Sequence, residues 1–151
     1  MGKKHVIQKS AEEVIKETDK IEAGLKKEPK VKARVQRISE AKVCISSSYN
    51  NTIITLTDMT GKVLAWKSAG SVGFKGTKKG TAFAASKVGE IISNITSKLG
   101  IAKIHIFVKG IGPGRDSAVR SLIAHGLNVS SIKDITPIPH NGCRPRKVRR
   151  V

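Results

Sequence analysis

A chain of 151 residues with 29 Lys plus Arg against 11 Asp plus Glu, a formal charge of +18, has room for one globular core and tails. Such an excess repels itself, and the usual relief is a polyanion whose condensed counterions are released on binding. No apolar run approaches the ~18 residues of a spanning helix, and Met1 to Ser10 has no apolar block after its lysines, so a cytoplasmic protein without membrane contact is expected. Cys44 and Cys143 lie far apart, and both are read as reduced thiols.

Residues 1–40 hold 11 basic and 7 acidic residues, whereas 41–151 hold 18 basic against 4 acidic, a net +14. In the first part Val14, Ile15, Thr18, Ile21 and Leu25 recur at helical spacing, but Gly24 and Pro29 interrupt them. The expected organisation is a flexible or weakly helical arm over 1–32, an α/β RNA-binding domain over 33–136 and an extended basic tail over 137–151.

From Ala41 the pattern turns to period two and β-branched residues. Val43 and Ile45 lead towards Tyr49, Thr52 to Thr57 is a second strand, and Asp58-Met59-Thr60-Gly61 turns into a third over Lys62 to Ser68. Ala69 to Gly80 reads as a loop. Thr77 or Thr81 then caps a long helix whose apolar face is Phe83, Ala84, Val88, Ile91, Ile92, Ile95 and Leu99, ending at Gly100. A strand over Ala102 to Lys109, a break at Gly110 to Gly114, a helix over Ser117 to His125 and a strand over Leu127 to Ile135 follow. Pro137, Pro139, Gly142 and Pro145 exclude regular structure beyond Thr136. The order describes an α/β fold, a mixed sheet of about five strands covered by two helices.

Three segments carry the chemistry. The tail has His140, Asn141 and Gly142, then five cations in its last eight residues: Arg144, Arg146, Lys147, Arg149 and Arg150. Arg offers a bidentate fork for phosphate and stacks on unpaired bases, and the plainer alternative is a solvated tail kept for solubility. In Gly70 to Gly80, glycines among Lys75, Lys78 and Lys79 allow close backbone approach just before a helix start, a geometry that anions favour. The spacing excludes a P-loop, and an ordinary glycine-rich connector is the plainer alternative. Phe74 in that loop suits a stacking role or a core anchor equally. The third segment, Lys109 to Arg115, also joins a strand to a helix with cations at both ends, and its glycines miss the dinucleotide fingerprint by one residue.

Metal and catalytic readings are poorer. His140 and Cys143 make one H-x-x-C pair without two further ligands at a usual spacing. A metal-dependent nuclease would need a carboxylate cluster, yet past residue 41 only Asp58, Glu90, Asp116 and Asp134 exist. No cofactor and no metal are expected. The competing readings are that nuclease and a non-specific nucleic-acid compactor acting through charge alone.

The runs Tyr49-Asn50-Asn51-Thr52-Ile53, Ser68 to Gly76, Val108-Lys109-Gly110 and Asp134 to Pro145 closely resemble the small-subunit ribosomal protein eleven family in its bacterial form, over about residues 33–151. The resemblance implies a ribonuclease H-like topology without that enzyme's active site, and a structural place on the platform of the small ribosomal subunit. There the family bridges ribosomal RNA helices and helps form the cleft where the messenger's ribosome-binding sequence pairs. Its implied partners are small-subunit ribosomal RNA, the neighbouring small-subunit proteins seven and eighteen, initiation factor three, and mRNA nearby. Carried over, RNA contact falls on Asn51, Thr52, Gly73, Lys75 and Gly76, on Lys109, Gly112, Gly114 and Arg115, and on the tail from His140 to Arg150. This sequence departs from the pattern at Ile111 and Arg146, where prolines are commoner, and in its longer, more acidic arm.

Overall fold

The computed structural model describes Asp19, residues 38–144, Arg146 and Lys147. The arm expected over 1–32, Asp19 apart, lies outside the described residues, as do Pro145, Arg149 and Arg150. Five strands and two long helices follow in the expected order: β1 (Glu40–Ser47), β2 (Thr52–Asp58), β3 (Val63–Ser68), a 3-10 turn (Gly76–Gly80), α1 (Ala82–Lys98), β4 (Lys103–Lys109), α2 (Gly114–Ala124) and β5 (Val129–Asp134).

The sheet order is β3-β2-β1-β4-β5. β1 to β3 form an antiparallel meander, whereas β4 runs parallel to β1 and β5 parallel to β4. A two-residue hairpin cannot connect parallel neighbours, so each parallel pairing is reached through a helix, and α1 and α2 supply those crossovers. They pack on each other and on one face of the sheet.

Alternation decides which face is covered. Ala41, Val43 and Ile45 of β1, Ile54 and Leu56 of β2, and Ile104, Ile106 and Val108 of β4 are all buried. From the helices Ala84, Ala85, Val88, Ile92, Ile95, Ala118 and Leu122 meet them, with Val72 and Phe74 of the long loop closing one end. Each fully buried Ile or Leu contributes about 1.5–3 kcal/mol of transfer free energy, so this single layer holds the domain together. Of the opposite residues of the same strands, Lys42, Cys44, Thr55 and Phe107 are half-buried, and Thr57 at the end of β2 is buried. That face carries no helix among the described residues.

Phe83 does not join the core as its spacing suggested. Thr81 caps α1, its Oγ1 accepting from Ala84 N at 3.2 Å, which puts Phe83 in the first turn on the outer side, 62% exposed. Its ring meets Phe74 edge to face, with centroids 6.0 Å apart. Phe74 itself is a core anchor, 5% exposed. The helix α2 begins at Gly114, three residues before the expected Ser117, because Pro113 (φ −69°) is already set for a helical start.

Candidate nucleic-acid interface

Two of the segments singled out in the sequence, the loop after β3 and the loop after β4, meet at one end of the sheet, where β1, β4 and β5 finish and β2 begins, and the chain leaves for the third, the tail, from the same end at Thr136. Ligands of layered α/β folds gather at the carboxyl ends of parallel strands, because the crossovers leave their loops there. The ties between the segments are mostly backbone to backbone. In the turn after β1, Ser48 N donates to Asn51 O at 2.9 Å. The long loop after β3 is moored to β2 by Ala69 N donating to Thr52 O at 3.1 Å, and the loop after β4 is moored to β1 by Gly112 N donating to Ser47 O at 3.1 Å.

Two glycines let these chains touch. A Cβ on Gly80 would lie 2.3 Å from Tyr49 O, and one on Gly112 would lie 2.2 Å from Ser48 O. Neither neighbour is a flexible side-chain tip, so any side chain would push two loops apart. Gly114 abuts Thr52 in the same way, its Cβ position 2.3 Å from the threonine Oγ1.

Arg115 is the hub of a polar clamp. Its Nη1 donates to Gly110 O at 3.0 Å and its Nη2 to Asp134 Oδ2 at 2.6 Å. The other carboxylate oxygen of Asp134 accepts from Thr136 N at 2.9 Å and from Thr136 Oγ1 at 2.6 Å, and that hydroxyl accepts in turn from Gly110 N at 3.0 Å. The hydroxyl of Thr136, and after it the guanidinium of Arg115, hold the Asp134 carboxyl well below the usual carboxylate range. One network thus fixes the loop after β4, the end of β5 and the start of the tail.

The charge around this end is positive. Lys75, Lys78 and Lys109 are exposed and Lys79 is half-buried, while the N-termini of α1 and α2 both open here, adding the positive ends of two helix dipoles. His140, Asn141, Gly142, Arg144, Arg146 and Lys147 are exposed, and Asn141 takes a left-handed conformation (φ 51°) that turns the chain before Gly142. Gly73 and Gly76 are left-handed too, shaping the long loop (φ 113° and 55°).

The sequence-predicted residues therefore separate into two kinds. Lys75, Gly76, Lys78, Lys109, His140, Arg144, Arg146 and Lys147 face outward, whereas Thr52, Gly112 and Gly114 are buried. Thr52 Oγ1 lies 3.5 Å from Ser47 Oγ inside the fold. Asn51 is half-buried, and its Oδ1 is enclosed without a hydrogen-bond partner among the described residues. These buried members shape the loops. Sequence reasoning missed Ser47, Ser48, Asp134 and Thr136 as positioning residues. The signal was the strand order, which places them beside Gly110 and Gly112, and no local motif carries that.

Each carboxylate that a nuclease would need has a local role. Asp58 Oδ1 accepts from Thr60 Oγ1 and Lys62 N in the β2–β3 turn, Glu90 pairs with Lys87 at 2.9 Å, Asp116 sits in the first turn of α2, and Asp134 is in the clamp. Among the described residues no three His, Cys, Asp or Glu side chains gather to hold a metal ion, and no helix is long and apolar enough to cross a membrane.

The model of the family described as ribosomal protein S11 matches residues 41–150. A small ribosomal subunit protein uS11 from Treponema pallidum (strain Nichols) is 53% identical over 116 residues, 77% of this chain and 92% of the relative. The protein of the same name from Borreliella burgdorferi is 50% identical over 121 residues, 80% of this chain and 93% of the relative. That from Endomicrobium trichonymphae is 54% identical over 111 residues, 74% of this chain and 85% of the relative. With a matched span that takes in every strand after the first residue of β1, both helices and most of the tail, this chain belongs to the ribosomal protein S11 family.

Proposed function

We propose that this chain is a structural, non-catalytic constituent of the small ribosomal subunit, which binds small-subunit ribosomal RNA through the loop cluster and tail described above. The observation that carries the proposal is the convergence of the loops after β1, β3 and β4, both helix N-termini and the tail exit on one end of the sheet. Phosphates are met there by lysines, arginines and the two helix N-termini, and the sheet fixes the angle between whatever RNA helices each loop grips. In this reading the protein bridges RNA helices on the platform and helps form the cleft where the messenger's ribosome-binding sequence pairs. Small-subunit proteins seven and eighteen and initiation factor three are its proposed neighbours, on the strength of the resemblance. Its site residues are the exposed Lys75, Lys78 and Lys109, the half-buried Lys79 and the tail from His140 with its cations, positioned by Asn51, Thr52, Gly73, Gly76, Gly112, Gly114 and Arg115.

The test is sedimentation of a cell lysate on a magnesium-containing sucrose gradient, following the protein by mass spectrometry. Near-stoichiometric recovery with small subunits through a moderate salt wash is expected. Recovery mainly as free protein, or with chromosomal DNA, would overturn the proposal and favour the compactor.

A further inference from the structure

The uncovered face of the sheet has a composition that covering by protein does not explain. Strand register places Trp66, Thr55, Cys44, Phe107 and Lys133 in one row across all five strands. Two aromatic side chains therefore flank two small ones. At ~4.8 Å per strand, Trp66 and Phe107 stand roughly 14 Å apart with Thr55 and Cys44 forming the floor between them. Trp66 is 59% exposed, a large apolar surface left in water.

The neighbouring rows give the charge. Ser68, Ile53, Ser46 and Lys109 lie on the side of the loop cluster, and Val63, Thr57, Lys42, His105 and Ser131 lie on the other. Glu40, at the far end of β1 beside Lys103, is the one carboxylate among these paired positions of the face. A second copy of this chain would bring like charge against like. An apolar protein partner would find Val63, Trp66, Ile53 and Phe107 scattered among hydroxyls and lysines, too little for the apolar centre of a protein interface.

We propose that this face is a base-stacking platform for single-stranded RNA, with bases laid on Trp66 and Phe107 and the backbone followed by Lys109 and Lys133. Stacking on an exposed ring with cations alongside is how sequence-tolerant single-strand sites are built. The platform is continuous with the loop cluster, because Lys109 and Ser46 end the strands whose loops form it. An RNA strand leaving a helix gripped by the loops runs directly onto the sheet. The inference rests on the RNA-binding reading above and extends it from helical RNA at one end of the sheet to unpaired RNA on its face.

Trp66 is the chain's single tryptophan, so its emission reports on this face alone. The experiment titrates the full chain with a 5′-labelled oligouridylate of about twelve nucleotides and with an RNA duplex of equal length, reading label anisotropy for binding and tryptophan emission for stacking. The expected result is saturable quenching by the single strand and little by the duplex. Trp66→Ala should weaken the single strand by five-fold or more while changing duplex affinity less than two-fold, about the effect of one lost stacked base. Trp66→Phe should recover most of the loss. Single strand bound by anisotropy with Trp66 emission unchanged, or equal losses for both RNAs in Trp66→Ala, would overturn the platform and leave the loop cluster standing. A blue shift of Trp66 on adding small-subunit proteins, with none on adding RNA, would overturn it in favour of a protein occupant. Failure of either RNA or a small-subunit ribosomal RNA fragment to bind at all would instead overturn the RNA-binding reading itself.

Discussion

Replacing Gly112 by Ala tests whether backbone contact holds the loop cluster together. The new methyl would start 2.2 Å from Ser48 O and 2.6 Å from Ser47 Oγ, whereas carbon and oxygen in close contact sit at about 3.3 Å. The loop after β4 and the turn after β1 must therefore separate by about 1 Å, which breaks or lengthens the 3.1 Å bond from Gly112 N to Ser47 O. Overpacking of this kind costs about 1–3 kcal/mol and a lost hydrogen bond about 1 kcal/mol, so the expected loss is about 2–4 kcal/mol. In urea that lowers the unfolding midpoint by about 1–2 M, read by far-ultraviolet circular dichroism. Affinity for a small-subunit ribosomal RNA fragment should fall as well, because the displaced loop carries Lys109 and Arg115. Gly100→Ala is the control: its φ is +69° and nothing lies within 4 Å of the new Cβ, so only left-handed strain of about 1 kcal/mol is expected, with RNA affinity unchanged. Equal destabilisation by the two substitutions, or wild-type RNA affinity in Gly112→Ala, would refute the reasoning.

The clamp makes an opposite prediction to charge counting. Asp134→Asn raises the net charge by one, yet should weaken ribosomal RNA binding several-fold by releasing Arg115 and Thr136 and with them the direction of the tail; tighter binding would show that charge alone matters. Because the folded carboxyl titrates below its unfolded value of about 3.9, its contribution is complete above that value and is lost only as pH falls through the lowered one, so the Thr136 amide should keep its chemical shift from pH 7 to 5. Thr81→Ala removes the α1 cap and should cost about 1 kcal/mol in urea unfolding, with Thr81→Ser close to wild type. Truncation after Pro139 should leave the unfolding midpoint unchanged while lowering RNA affinity and reducing the slope of log affinity against log salt by up to roughly 4, the share of five cations; an unchanged slope would refute a tail that contacts phosphate.

Much of the architecture was legible because one side of each central strand had to be apolar. Val43 and Ile45, Ile54 and Leu56, and Ile104 and Ile106 announced both the strands and the covered face. The Thr81 cap and the stop at Gly100 bounded α1 within a residue or two. Phe83 was misjudged because helical spacing tells which residues share a face, not where the first turn sits relative to the sheet. The sequence points to a later start for α2 because Gly114 and Arg115 continue the glycine-rich loop pattern, whereas Pro113 is itself the N-cap. Of the site, the cations could be read locally, as runs of lysine and arginine among glycines. The clamp could not, since Arg115 and Asp134 are 19 residues apart and meet only because β5 lies beside β4. Nor could the row from Trp66 to Phe107, which exists only once β1 is known to lie between β2 and β4.

The central position of β1 also sets a timetable for synthesis. The meander from Glu40 to Ser68 is complete early, but the second neighbour of β1 is Lys103–Lys109, and the clamp must wait for Asp134 and Thr136. Pairings so distant along the chain close slowly and late. A growing chain therefore carries its lysines past any nearby RNA well before it owns the rigid end that would hold them at fixed angles. On the proposed RNA-binding function, selective grip therefore arrives only after Asp134 and Thr136 have been made and the clamp has closed.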